Sequence, residues 1–123
     1  MKMSQPFTLN KENIETEIAL VKPGTYVLGR LIRVWSKVIF VPVILGRSDT
    51  DLRKEILDQS IHHKLSLKRQ PSCFKFAYAK SPQQAFKNEC IIYHKFRRML
   101  KRKKHPLPPE NMPINCPFPG CTH

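Results

Sequence analysis

Apolar residues recur along this chain in rhythms that change at sharp boundaries. Ile14, Ile18 and Val21 sit at helical spacing in an acidic stretch, with Asn10 and Asn13 placed to cap it, and predict a short helix within residues 1–22. Pro23-Gly24 ends that rhythm. From Thr25 to Leu45 the apolar positions are β-branched or large (Val27, Ile32, Val34, Val38, Ile39, Val41, Val43, Ile44), which predicts a β-hairpin turning at Trp35-Ser36-Lys37. Pro42 has no N–H for the ladder, so it demands a bulge or an edge position. Ser48, Asp49 or Thr50 can cap a helix that follows, with Asp51 at the positive end of its dipole and Leu52, Ile56, Leu57 and Ile61 as its apolar stripe. His62 to Gln70 is basic and loop-like. Cys73 to Ala79 alternates as a strand, with Phe74, Phe76 and Tyr78 on one face.

The last helix has the clearest start in the chain. Ser81, Pro82 and Gln84 supply an N-cap, a proline at the first helical position and a capping-box partner. Phe86, Cys90, Tyr93 and Arg97 line one face, and the pattern runs to about Arg102 before Pro106 forbids it. Six of the nineteen residues from His105 onward are proline, so this tail is irregular. The chain therefore divides into a helical segment at 1–22, a small α+β domain at 23–104 with a short antiparallel or mixed sheet, and a proline-rich tail at 105–123.

Charge changes this picture most. The 123 residues carry a formal net charge of +13, which favours a polyanionic partner. The imbalance is local: residues 59–109 hold thirteen Lys and Arg against Glu89 alone. Lys95, Arg97, Arg98, Lys101, Arg102, Lys103 and Lys104 place seven cations in ten residues, more than one helical face can solvate opposite a core. Phosphate binding is the economical account, with DNA favoured over RNA as the partner. A membrane contact fits least, because no apolar face continues past Leu100 and the longest apolar run, Val38 to Leu45, is too short to span a bilayer. The N-terminal residues lack the apolar core of a targeting segment, so a cytoplasmic protein is expected, and its four cysteines read as thiols or metal ligands rather than disulfides.

Two short motifs add candidate chemistry. Gly24-Thr25-Tyr26 opens the hairpin, and Ile44-Leu45-Gly46-Arg47-Ser48-Asp49 closes it and leads into a helix. With Phe74-Lys75-Phe76-Ala77-Tyr78, the Ser81-Pro82 helix start and Glu89-Cys90-Ile91-Ile92-Tyr93-His94, they resemble the GIY-YIG nuclease superfamily over roughly residues 23–96. The resemblance implies a three-stranded antiparallel sheet flanked by helices. It also implies a divalent-metal-dependent endonuclease that hydrolyses DNA phosphodiesters. Tyr26 would orient or deprotonate the attacking water, Glu89 would hold Mg²⁺ or Mn²⁺, and Arg47 or Arg53 would reach the phosphate oxygens. The chain departs from the pattern in three places. Ile44 stands where the second tyrosine belongs, Glu55 competes with Arg53 and Lys54 for the helix arginine's place, and the hairpin is long. These departures argue for the alternative, a DNA- or RNA-binding module with impaired catalysis, whereas the retained Tyr26 and Glu89 argue for the endonuclease.

The cysteines give a separate expectation. Cys90 and His94 are four residues apart on a helix and project together, and Cys116 and Cys121 bracket a proline-rich turn. The four form a candidate zinc site pinning the tail to the helix, with His105 and His123 as substitutes. The competing reading is four free thiols with Cys90 in the core.

Overall fold

The structure is a computed structural model and describes residues 2–62, 70–101 and 104–123. The elements run β1 (Phe7–Thr8), α1 (Lys11–Glu17), β2 (Gly24–Val34), β3 (Lys37–Ser48), α2 (Leu52–His62), β4 (Cys73–Tyr78) and α3 (Pro82–Phe96). The fold is α+β, but its antiparallel sheet has four strands, in the order β1-β4-β2-β3, rather than three. The added strand is two residues long and invisible to any periodicity. It pairs Phe7 with Phe74 and Thr8 with Cys73. Backbone bonds from Leu9 to Ser72 and from Ser4 to Phe76 extend the same edge.

Strand alternation sorts the helices onto two faces. Tyr26, Leu28, Phe74 and Phe76 point to one side, where Ile14 and Ile18 from α1 and Leu52 and Ile56 from α2 close a fully apolar core around them. Thr25 points the other way, and its buried hydroxyl donates to the Ala85 carbonyl of α3 at 2.9 Å. The cap of α1 is Asn10, which accepts from Asn13 N–H, and that of α3 is Ser81, which accepts from Gln84 N–H. Val21, expected on the α1 stripe, lies beyond the helix and is exposed.

The hairpin turns on Trp35-Ser36, with Lys37 already in β3. Register shifts between Leu28, paired with Ile44, and Gly29, paired with Pro42, so Val43 is the extra residue. Pro42 thus occupies both an edge strand and a bulge. β4 pairs with β2 only from Gly24 to Gly29, so residues 30–34 and 37–41 project as a two-stranded arm.

α3 stops at Phe96, one and a half turns short of Arg102. A tight turn through Arg97 and Arg98 follows, closed by Leu100 N–H on the Phe96 carbonyl. Leu100 is then buried, and Lys101 N–H donates to the Val43 carbonyl of β3 at 2.9 Å. Burying one leucine and satisfying an edge-strand carbonyl outweigh extending a helix whose next turns would crowd cations together. Arg102, Lys103 and most of the basic segment at 62–70 lie outside the described residues. Among the described residues, no helix is long and apolar enough to cross a membrane.

Candidate metal centre and buried charge cluster

The tail folds back on α3 through Cys116, which packs with Phe86 and Cys90 and is flanked by Ile114 and Cys121. This docking brings His94 (α3), His105, Cys116 and Cys121 together, with their four ligand atoms all within 4.8 Å of one another. Cys116 Sγ is 3.5 Å from His94 Nε2, and Cys121 Sγ is 3.3 Å from His105 Nε2. Zinc bonded to sulfur at ~2.3 Å and nitrogen at ~2.0 Å in a tetrahedron sets those atoms about 3.5 Å apart. Two contacts match that spacing, and the group could hold a metal ion.

Its surroundings fix the ligands. His105 Nδ1 bonds the Pro106 carbonyl at 2.7 Å, which places the proton there and leaves the Nε2 lone pair facing Cys121. Phe118 stacks on the His94 ring at 4.2 Å, and His123 stacks on His105 at 4.3 Å. Burial, with His105, Arg97 and His123 nearby, lowers the His94 pKa and favours the neutral imidazole a metal requires.

One expected ligand is displaced. Cys90 is fully buried one helical turn below His94, and its thiol hydrogen-bonds Cys116 rather than joining the group. Burial and that contact push its pKa far up, so it remains a thiol. His105, named only as a substitute, takes its place because the chain turns back beside Tyr93, whose ring lies 5.2 Å from that of His105. His123 Nδ1 approaches Cys121 Sγ only to 3.8 Å and stands outside the group.

The residues singled out by the resemblance gather beside the middle of α3, where Glu89 adjoins Cys90. Tyr26 is buried, and its ring lies so close over Gly46 that a Cβ there would meet the ring atoms. Its hydroxyl donates to Glu55 Oε1 at 3.3 Å. Arg47, on β3, donates from Nε to Asp49 at 2.8 Å and from Nη1 to Glu89 at 2.7 Å, with its guanidinium over the Phe86 ring. The Arg47 and Glu89 side chains are each 13% exposed. Burial raises the Glu89 pKa despite Arg47, and Asp49 and Glu55 add to the rise. Burial also works against the Arg47 cation, but Asp49 and Glu89 outweigh it and hold the proton more firmly than water does.

The contacts thus pair Tyr26 with Glu55 and Arg47 with Glu89, and Glu55 and Glu89 lie close enough to repel, while the Arg53 side chain makes no hydrogen bond or ion pair among the described residues. α2 presents Glu55, not an arginine, to the tyrosine. Arg47 occupies one Glu89 oxygen, and among the described residues the converging group of three or more ligands is the histidine–cysteine one, so Mg²⁺ or Mn²⁺ at Glu89 has no support beyond the carboxylate itself. The sequence signalled Glu55 as an intruder at the arginine position. It held no signal of the Arg47–Glu89 pair, whose members are 42 residues apart.

Comparison with protein-family models, curated proteins and solved structures finds no match to this chain.

Proposed function

We propose that this chain is a nucleic-acid-binding module, DNA favoured over RNA, with a structural zinc ion stapling its tail. Its nuclease-like cluster is closed by internal pairs. One observation carries the binding reading. Lys95, Arg97, Arg98, Lys101 and Lys104 are exposed around the end of α3, and none has an acidic partner among the described residues. Glu89, the acid nearest Lys95, Arg97 and Arg98 in sequence, is turned inward and neutralised by Arg47. A surface of one sign held on a rigid turn is suited to phosphates.

The same geometry argues for binding without efficient cleavage. A scissile phosphate would have to displace Glu89 from Arg47 and Glu55 from Tyr26 before either side chain reached it. In the metal group, two thiolates and two imidazoles with every ligand position filled match a structural zinc rather than a catalytic one.

The test is equilibrium binding of labelled DNA across a salt series, for the wild type and for a variant with Arg97, Arg98, Lys101 and Lys104 replaced by glutamine. Each phosphate contact contributes about 0.9 to the slope of log K against log salt, so the variant should lose roughly 3 to 4 from that slope, equally for all sequences. An unchanged slope would reject this face as the phosphate surface. Cleavage of supercoiled or branched DNA that requires Mg²⁺ or Mn²⁺ and is lost in Glu89→Gln would replace the binding reading with the endonuclease one.

A further inference from the structure

The β2–β3 arm is the least explained part of the molecule. Beyond Gly29 it leaves the sheet, and a two-stranded ribbon is marginal in water unless something covers it. Leu31, Val34, Val38 and Ile39 are all exposed along it. At its tip Trp35 is 93% exposed and adopts φ +59°. A two-residue hairpin turn requires that left-handed conformation, but asparagine or glycine supplies it at little cost and a bulky side chain does not. Among the described residues nothing offsets the cost, because the indole is 93% exposed.

Charge selects what covers this arm. From Lys22 to Ser48 the chain has no acidic residue, and Arg30, Arg33 and Lys37 flank the exposed ring. A second copy of the same arm would be repelled. At the root of the arm a cleft of about 380 Å³ opens between the hairpin and the turn after α3, with Arg30, Arg98 and Lys101 around a floor that includes Ile32, Val41 and Leu100. A lipid surface would need no such hollow, whereas a flexible polyanionic strand does.

We propose that the arm grips single-stranded or locally unpaired nucleic acid, stacking an exposed base on Trp35. Phosphates of the same strand run past Arg33 and Lys37 into the cleft beside Arg98 and Lys101. Five residues separate Arg30 from Trp35, so this track spans roughly 17 Å. Stacking is open only to a base that has left its duplex partner, which makes the arm a sensor of unpaired strand. The proposal rests on the nucleic-acid reading above and adds the substrate class.

Trp35 is the sole tryptophan, so the intrinsic fluorescence of the full chain reports this site alone. Titration with oligothymidylate should quench it, while the same length of blunt duplex, or heparin as a polyanion without bases, should quench it little. By anisotropy of labelled oligothymidylate, Trp35→Asn, which suits the turn, should bind about 5- to 150-fold more weakly. Trp35→Phe should recover part of the loss, and duplex affinity should hardly move. Equal quenching by heparin, or full single-strand affinity in Trp35→Asn, would overturn the stacking site while leaving the phosphate surface standing. A blue shift with phosphatidylserine vesicles, or one that grows with protein concentration, without any oligonucleotide response would assign the arm to a membrane or to a second copy and overturn it too. Failure of the wild type to bind any nucleic acid would overturn both proposals together.

Discussion

Removing the metal tests the tail's architecture and the ligand set at once. Cys116 and His94 are 22 residues apart, and a metal that joins them in the folded chain holds that loop closed. Treated as a cross-link, a loop of this size contributes about 3.4 kcal/mol by loop-closure entropy. Unfolding of a 123-residue chain carries an entropy of about 0.26 kcal/mol per kelvin, so chelation should lower Tm by roughly 13 °C. The core around Tyr26 and Phe74 contains no tail residue, so the metal-free chain should keep its sheet and lose its tail docking. Elemental analysis should find about one zinc per chain, and cobalt in its place should give the absorption of a tetrahedral site with two thiolates.

Two substitutions then separate His105 from Cys90. His105→Ala should lose the metal, because its Nε2 faces Cys121 at 3.3 Å. Cys90→Ala should keep it and show only the cost of a small cavity, because that thiol lies behind Cys116. Zinc retained in His105→Ala but lost in Cys90→Ala would refute the ligand set. A zinc-free protein whose melting ignores chelators would refute the staple altogether.

Two further outcomes test the buried charge cluster. Arg47→Met leaves Glu89 buried without its partner and should cost about 3–5 kcal/mol in a urea titration, whereas Glu89→Gln, which keeps an acceptor for Arg47, should cost much less. Because the folded pKa of Glu89 is raised, its contribution is fully present below the ordinary carboxylate range and lost as pH rises through the folded value. The stability of the wild type relative to Glu89→Gln should therefore decline over that window and level off above it, and a rise instead would contradict the burial assigned to this carboxyl. Gly46→Ala should destabilise by about 1–3 kcal/mol, since its methyl would enter the Tyr26 ring, and an unshifted urea midpoint would show that the ring has another place to go.

What the sequence disclosed was local. Ser81-Pro82-Gln84 starts α3 because a cap needs only its next three residues, and Pro42 marks the bulge because a missing N–H is a property of one residue. Phe74, Phe76 and Tyr78 share a face because strand alternation is fixed at two. The features that escaped are settled between distant segments. β1 exists through its pairing with β4, and α3 ends where Leu100 finds a burial site and Lys101 finds the Val43 carbonyl. Helical spacing placed Cys90 and His94 on one face correctly. It held no information on which of the two the tail would meet as a ligand, and the return of the chain at His105 decided that.

The buried pair and the metal group share an electrostatic logic that bears on the proposed function. Glu89 is the only acid in residues 59–109, and an exposed carboxylate on α3 would repel any phosphate approaching its C-terminal turn. Arg47, supplied by β3 from the other half of the chain, draws that charge into the interior and cancels it. Zinc with two thiolates and two neutral imidazoles is electrically neutral, so it anchors the tail without competing for the cations. On this reading both features keep the end of α3 uniformly positive. Removing zinc should then weaken DNA binding only as far as tail docking positions the turn, even though no zinc ligand touches DNA. That loss should be equal at every salt concentration, and a loss that shrinks at high salt would show that the metal supplies charge to the binding surface.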